Sequence, residues 1–279
     1  MTTVASAITR GSAAGLSYLA GEGGGGVPVV LLHGIGSNAE SFVPLMRAFA
    51  GRHSVLAWDA PGYGSSEPLA AQWPDASDYA ASLGRLLGEL ALPRCLLLGH
   101  SLGALIAARF ALLSASRVAA LALLSPAIGY GAEKGAPLPA GAARRIAELD
   151  RLGPEQFAIA RAPGLLADPA ARPDVLHAVL RAMAAVRRPG YDQAARLLAV
   201  GRLLDDAARL EVPTAVLVGT ADRITPPSHV RRVFDALPQS LQPRFHREIA
   251  NAGHALCQEQ PGEVARALAE LLEKAGADV

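Results

Sequence analysis

The chain has 279 residues, 51% of them hydrophobic, and its 26 basic and 25 acidic side chains leave a formal net charge of +1. That composition excludes a disordered or fibrous chain, and a charge so near neutrality offers no attraction to nucleic acid or an anionic membrane. The length suffices to bury one large α/β core, with or without an insertion.

Along the chain, Gly15 to Ala20 reads as an edge strand and the glycine run Gly21 to Gly26 as a flexible hairpin turn, since no Lys-Ser/Thr and no helix follow it as a phosphate loop requires. Val27 to Leu32 is continuously apolar, as a strand buried on both faces must be. A helix over Ser41 to Ala50, a buried strand over Ser54 to Trp58 and a helix over Ser77 to Leu90, capped by Ser77 or Asp78, come next. The strand at Cys95 to Leu98, the helix Ala104 to Ala111 and the strand Val118 to Leu124 continue the alternation. It implies right-handed crossovers and an α/β fold with a mostly parallel central sheet and helices on both faces. From Gly131 to Leu210 the strand signal vanishes. Helical segments at Ala140 to Arg151, Pro154 to Arg161, Pro173 to Val186 and Tyr191 to Leu204 are punctuated by Gly and Pro. Residues 131–210 are therefore expected to be an inserted helical lid on a core of residues 1–130 and 211–279. Strand character returns at Thr214 to Gly219, with a helix at Ser228 to Ala236, a short strand at Arg244 to Ile249 and a last helix at Pro261 to Ala275.

Two cysteines, Cys95 and Cys257, do not make a disulfide framework. No Cys/His cluster has metal-ligand spacing, so neither a metal nor another cofactor is expected. Met1 to Arg10 lacks the basic-then-apolar pattern of a secretory leader, and no apolar run reaches bilayer-spanning length. The expectation is a cytoplasmic protein whose partner is a small, largely apolar substrate, with no nucleic acid and no membrane; a homo-oligomer is left open.

The chemistry is concentrated at Gly99-His100-Ser101-Leu102-Gly103, between the strand at Cys95 and the helix at Ala104. Strand, sharp turn and helix around G-x-S-x-G make a nucleophile elbow, with the serine hydroxyl raised above the sheet. Such a serine needs a histidine base and a carboxylate that fixes its tautomer, following in the order Ser, acid, His. His254, in the loop between the last strand and the last helix, fits as base. Asp222, just past the strand ending at Gly219, fits as acid. His177 reads as a lid packing residue, His229 and His246 as surface residues, Asp205 and Asp206 as solvated, and Arg187 and Arg188 as a solvated lid surface. Asp59 precedes the serine, so chain order makes it a hydrogen bonder that fixes its loop, and His33 braces a loop. The donors to a developing oxyanion are expected to be the backbone N–H groups of Leu102 and of Ile35, in His33-Gly34-Ile35-Gly36.

Leu32-His33-Gly34-Ile35-Gly36, Asp59-Ala60-Pro61-Gly62-Tyr63-Gly64-Ser65-Ser66, the elbow, Gly219-Thr220-Ala221-Asp222 and Gly253-His254 together resemble the α/β-hydrolase fold superfamily. Arg188-Pro189-Gly190-Tyr191 and Glu259-Gln260-Pro261 are similar to its small bacterial esterases and lactonases, including 3-oxoadipate enol-lactonases. The resemblance implies cleavage of a small ester or lactone through an acyl-enzyme on Ser101. Meta-cleavage-product hydrolases, which cut C–C bonds, often carry a Pro in the oxyanion loop and a Trp after the histidine; here Ser37 or Asn38 and Ala255 stand there. An acyltransferase or perhydrolase with the same triad, and a non-enzymatic ligand receptor on the same fold, are the remaining alternatives.

Overall fold

In a computed structural model that describes residues 7–277, the chain starts with a hairpin of β1 (Ile8–Ala13) and β2 (Leu16–Gly25). Ala14 and Gly15 both have positive φ, the turn whose twist suits two antiparallel strands. The leader expectation and the outer ends of the expected core fall partly on residues 1–6 and 278–279, outside the described residues. The glycine run does not form the expected turn; it extends β2. A four-residue step along β2, from Gly21 to Gly25, spans the two-residue step from Val55 to His53 on the neighbouring strand. A Cβ on Gly23 would lie 2.0 Å from the His53 carbonyl oxygen, so only glycine allows the irregular close pairing.

Then follow β3 (Val29–Leu32), α1 (Val43–Ala48), β4 (His53–Trp58), α2 (Ala76–Glu89), β5 (Cys95–His100), α3 (Leu102–Leu113) and β6 (Val118–Leu124). Four helices come next: α4 (Ala140–Arg161), α5 (Pro173–Ala184), α6 (Gly190–Val200) and α7 (Leu203–Ala207). The chain returns to the sheet with β7 (Thr214–Gly219), α8 (Pro227–Ala236), β8 (Arg244–Ile249), a short α9 (Leu256–Glu259) and α10 (Pro261–Lys274). The eight strands lie in the order β1-β2-β4-β3-β5-β6-β7-β8; β2 is antiparallel to both neighbours and the other pairs are parallel.

Alternate side chains of the central strands enter two separate cores. Leu97, Leu121 and Leu123 pack with α2, α3, α7 and α8 on one face, while Leu96, Leu98, Ala120 and Leu124 pack with α1, α9 and α10 on the other. Both faces are covered, which is why these strands read as unbroken apolar runs. The cap of α2 is Asp75, whose carboxylate accepts from the N–H groups of Ser77 and Asp78 while Asp78 reaches back to the Asp75 N–H. This reciprocal box satisfies three donors at once and places the cap two residues before Ser77. The expected break before Pro154 appears as a kink at Gly153, with φ 70° and ψ 165°. The expected helix Tyr191 to Leu204 divides at Gly201, where a Cβ would strike the Leu105 side chain at 2.7 Å. Among the described residues no helix is long and apolar enough to cross a membrane.

Candidate active site

The strand order reverses at β3, which has β4 on one side and β5 on the other. Loops leaving the carboxyl ends of β3 and β5 therefore diverge and open a crevice, the place where open α/β sheets hold ligands. Ile35 follows β3 and Ser101 follows β5. Ser101 has φ 54° and ψ −115°, a conformation that costs a non-glycine residue about 1–3 kcal/mol. The surroundings hold it there. Its N–H donates to the Leu124 carbonyl at 2.9 Å, and its own carbonyl accepts from Ala104 and Ala127, each at 3.1 Å. A Cβ on Gly99 would stand 2.4 Å from the Gly103 carbonyl oxygen, and one on Gly103 would stand 2.3 Å from that of Leu32. The glycines of the elbow are thus sites of backbone contact. The Ser101 hydroxyl makes no hydrogen bond among the described residues and faces two chambers.

His254 donates from Nδ1 to Asp222 Oδ2 at 2.9 Å, which leaves the Nε2 lone pair free to take a proton. Asp222 is 3% exposed and His254 5%. Burial pushes the Asp222 carboxyl upward, but His254 and the hydrogen bonds from Thr225 outweigh it and hold the group well below the usual carboxylate range. Its Oδ1 accepts from the N–H groups of Ile224 at 2.8 Å and Thr225 at 2.9 Å. Thr225 Oγ1 lies 2.9 Å from Asp222 Oδ2, 3.0 Å from the Ser125 carbonyl and 3.3 Å from His254 Nδ1. Thr225 therefore locks the Asp222–His254 pair, a contact absent from the sequence reading although it follows Asp222 by only three positions. The histidine loop is clamped by buried Glu259, which accepts from Gly253 N–H at 2.7 Å and from Ala167 N–H at 2.8 Å. Ala255 N–H donates to the Leu165 carbonyl at 3.0 Å, so the segment between α4 and α5 rests directly on this loop.

His100 is a second buried imidazole at the site. Its Nε2 donates to the His254 carbonyl at 2.8 Å, with the ring centroids 4.9 Å apart. Burial and the neighbouring His254 push it down to about 3, against the opposing effect of that hydrogen bond. In the unfolded chain it titrates near the ordinary histidine value of about 6.5. Between those two values the unfolded state binds a proton that the folded state refuses, so this contribution to stability is lost as pH falls. The slope is at most about 1.4 kcal/mol per pH unit. Urea midpoints are expected to decline from pH 7 to pH 5, and to decline less steeply in His100→Asn; equal slopes for the two proteins would contradict this account of His100.

Leu102 opens α3, where the first backbone N–H groups have no partner inside the helix. Leu102 and Ile35 line the larger chamber with Ser101. As expected, His33 braces its loop: Nε2 accepts from Ala60 N–H at 3.0 Å and Nδ1 donates to the Gly34 carbonyl at 2.8 Å. Asp59 ties loops together, accepting from Ala39 N–H at 2.9 Å, Ser17 Oγ at 2.7 Å and Arg10 at 3.0 Å. The smaller chamber, about 30 Å³, is lined by His254, Ser101, Ser37, Ser41 and Gln258 among others. The larger, about 340 Å³, runs beneath α4 and α6 toward α8.

Some assignments are corrected. Asp206 is not solvated: it is 2% exposed and held by both prongs of Arg109, at 2.8 and 3.2 Å. His177 is exposed on α5 and packs in no core. Arg187 and Arg188 are exposed, as expected, and make surface contacts: Arg187 donates to the Ser66 carbonyl at 2.9 Å, and Arg188 pairs with Asp150 and Asp192 at 2.8 and 3.3 Å. His229 is exposed as expected, yet it lines the larger chamber.

This sheet order, with helices on both faces, a β5–α3 elbow and helices inserted after β6, defines the α/β-hydrolase fold. A model of the alpha/beta hydrolase family matches residues 29–267, and the chain belongs to that family. An esterase from Thermogutta terrifontis, solved with malate bound, superposes with a TM-score of 0.82 at 25% identity, over 96% of this chain and 99% of that one. An enol-lactonase from Burkholderia xenovorans superposes with a TM-score of 0.82 at 21% identity, over 95% and 100%, a likeness of fold. The dihydrolipoyllysine-residue acetyltransferase component of the acetoin cleaving system of Cupriavidus necator is 32% identical over 110 residues, 39% of this chain. That match spans 29% of the relative's length.

Proposed function

We propose that this hydrolase is a serine esterase or lactonase that works through an acyl-enzyme on Ser101. One observation carries the reading: the Asp222–His254 hydrogen bond, 2.9 Å long and buried, shares the mouth of one crevice with a serine held in the strained elbow conformation. His254 Nε2 takes the proton of Ser101 as Oγ attacks the carbonyl carbon. The contact between them forms when substrate closes the site, since catalytic hydrogen bonds are commonly loose in empty enzymes. The electron pair of the carbonyl moves onto its oxygen, which the N–H groups of Ile35 and Leu102 receive. Collapse expels the alcohol oxygen, protonated by His254, and the same base then activates water to release the acid. Asp222 stays ionised throughout and holds the imidazole in the tautomer that the first step needs. No step calls for a metal or an organic cofactor.

The two chambers divide the labour. His254 and Ser101 meet at the smaller one, whose volume of about 30 Å³ admits water. It suits delivery of the hydrolytic water. The acyl chain occupies the larger chamber beside the oxyanion donors. Helices of residues 131–210 roof both chambers through Arg145, Leu165, Val179 and Leu198, and serve as a lid. A panel of 4-nitrophenyl acetate, 4-nitrophenyl butyrate, lactones and dienoic keto acids tests the assignment. Ester or lactone turnover with an initial burst of nitrophenolate is expected; turnover of the keto acids alone, or acyl transfer to added alcohol in preference to water, would overturn it.

A further inference from the structure

The larger chamber carries positive charge with nothing of its own to neutralise it. Arg145 reaches it from α4, and His229 and Arg232 from α8, while among the described residues no Asp or Glu side chain lines it. Arg145 is half-buried, with its guanidinium within hydrogen-bonding reach of the Tyr191 hydroxyl. Tyr191 is itself fixed, 1% exposed and packed edge-on against Phe157 at 5.5 Å. The nearest acid on the same helix, Glu148, is already taken by Arg161 at 2.5 Å and approached by Arg144 at 3.8 Å. Arg188 likewise has its carboxylates. Among the described residues Arg145 has no ion-pair partner.

A guanidinium partly withdrawn from water with a neutral phenol and no carboxylate as partner has its lost hydration offset only in part. A guanidinium carries a planar fork of N–H donors that matches a two-pronged acceptor. The wall between this charge and Ser101 is apolar, formed by Leu102, Ala127, Ile128 and Leu198. We propose that Arg145 is an anion-binding residue and that the substrate is an ester or lactone whose acyl chain passes over this wall and ends in a carboxylate. Arg145 receives that carboxylate bidentately, and Arg232, exposed at the mouth, draws it in. The anion belongs to the acyl part, because the leaving oxygen must face His254 in the other chamber. This inference rests on the reading of Ser101 as nucleophile.

The test compares mono-4-nitrophenyl adipate with 4-nitrophenyl methyl adipate, substrates alike except for the terminal charge. The wild-type enzyme is expected to favour the anionic ester in kcat/KM by about ten- to a hundredfold, the worth of a charge-assisted hydrogen bond. Arg145→Met is expected to abolish that ratio, chiefly through KM, and Arg145→Lys to restore part of it. Raising NaCl from 0.05 to 0.5 M narrows the preference in the wild type. Calorimetric titration with monomethyl adipate, carried out on the Ser101→Ala background so that the ester is not turned over, reads binding alone, with affinity lost when Arg145→Met is added. An absent preference in the wild type, an unchanged ratio in Arg145→Met, or equal binding by the two proteins overturns the subsite. Failure of the Ser101 reading looks different: the neutral ester is then left uncleaved as well.

Discussion

Ser101→Ala is expected to lose on the order of 10⁶-fold in kcat toward 4-nitrophenyl butyrate, the scale seen when a triad nucleophile is removed. The loss is this large because His254 and Asp222 act only through the serine, leaving the oxyanion donors and simple binding to supply the remainder. Stability should barely change. Alanine at φ 54° bears the same strain as serine, and the Ser101 hydroxyl makes no hydrogen bond that folding would lose. Ser101→Gly extends the argument: glycine relaxes at positive φ, so its Tm should rise while activity is still lost. Progress curves on purified variants with matched Tm values give the answer, and activity within tenfold of the wild type would exclude Ser101 as nucleophile.

Asp222→Asn is expected to lower kcat by about 10⁴-fold through a tautomer error. The direction follows from the hydrogen bonds at the carboxylate. Oδ1 accepts from the Ile224 and Thr225 N–H groups, so the amide oxygen of an asparagine must take that place. Its NH2 then faces His254 Nδ1, where the wild-type Oδ2 accepts. The imidazole is forced to put its proton on Nε2, toward Ser101, where a base needs a lone pair. Thr225 would still hold the loop, so the variant should fold and bind ester with nearly unchanged KM. A drop confined to KM would show that Asp222 only shapes the site.

What could be read in the sequence depended on how local the cause was. The strands β3 to β7 were legible because burial on both faces imposes apolar runs, and the elbow because its glycines and serine are consecutive. Chain order then narrowed the acid and base to Asp222 and His254, which the fold brings to 2.9 Å across 32 positions. β1 was missed because Ile8–Ala13 lies at the sheet edge, largely exposed, with no apolar face to announce it. The glycines of β2 resembled a turn because nothing local reveals that His53 lies against them. Asp206 looked solvated because its partner, Arg109, stands 97 positions away. Glu259 was noted only as part of a family-like tripeptide; its clamp joins Gly253, six positions away, to Ala167, 92 positions away. Arg145 carried no signal at all, being one arginine of many until α4 delivers it to the chamber wall.

The central claim is that Ser101 becomes covalently acylated with His254 as its base. The most direct measurement is intact-protein mass after reaction with a fluorophosphonate ester, followed by peptide mapping. The account predicts one phosphonyl group per chain, located on Ser101, absent from Ser101→Ala and formed far more slowly in His254→Gln. No adduct on the wild-type protein, or an adduct on another residue that persists in Ser101→Ala, would contradict it.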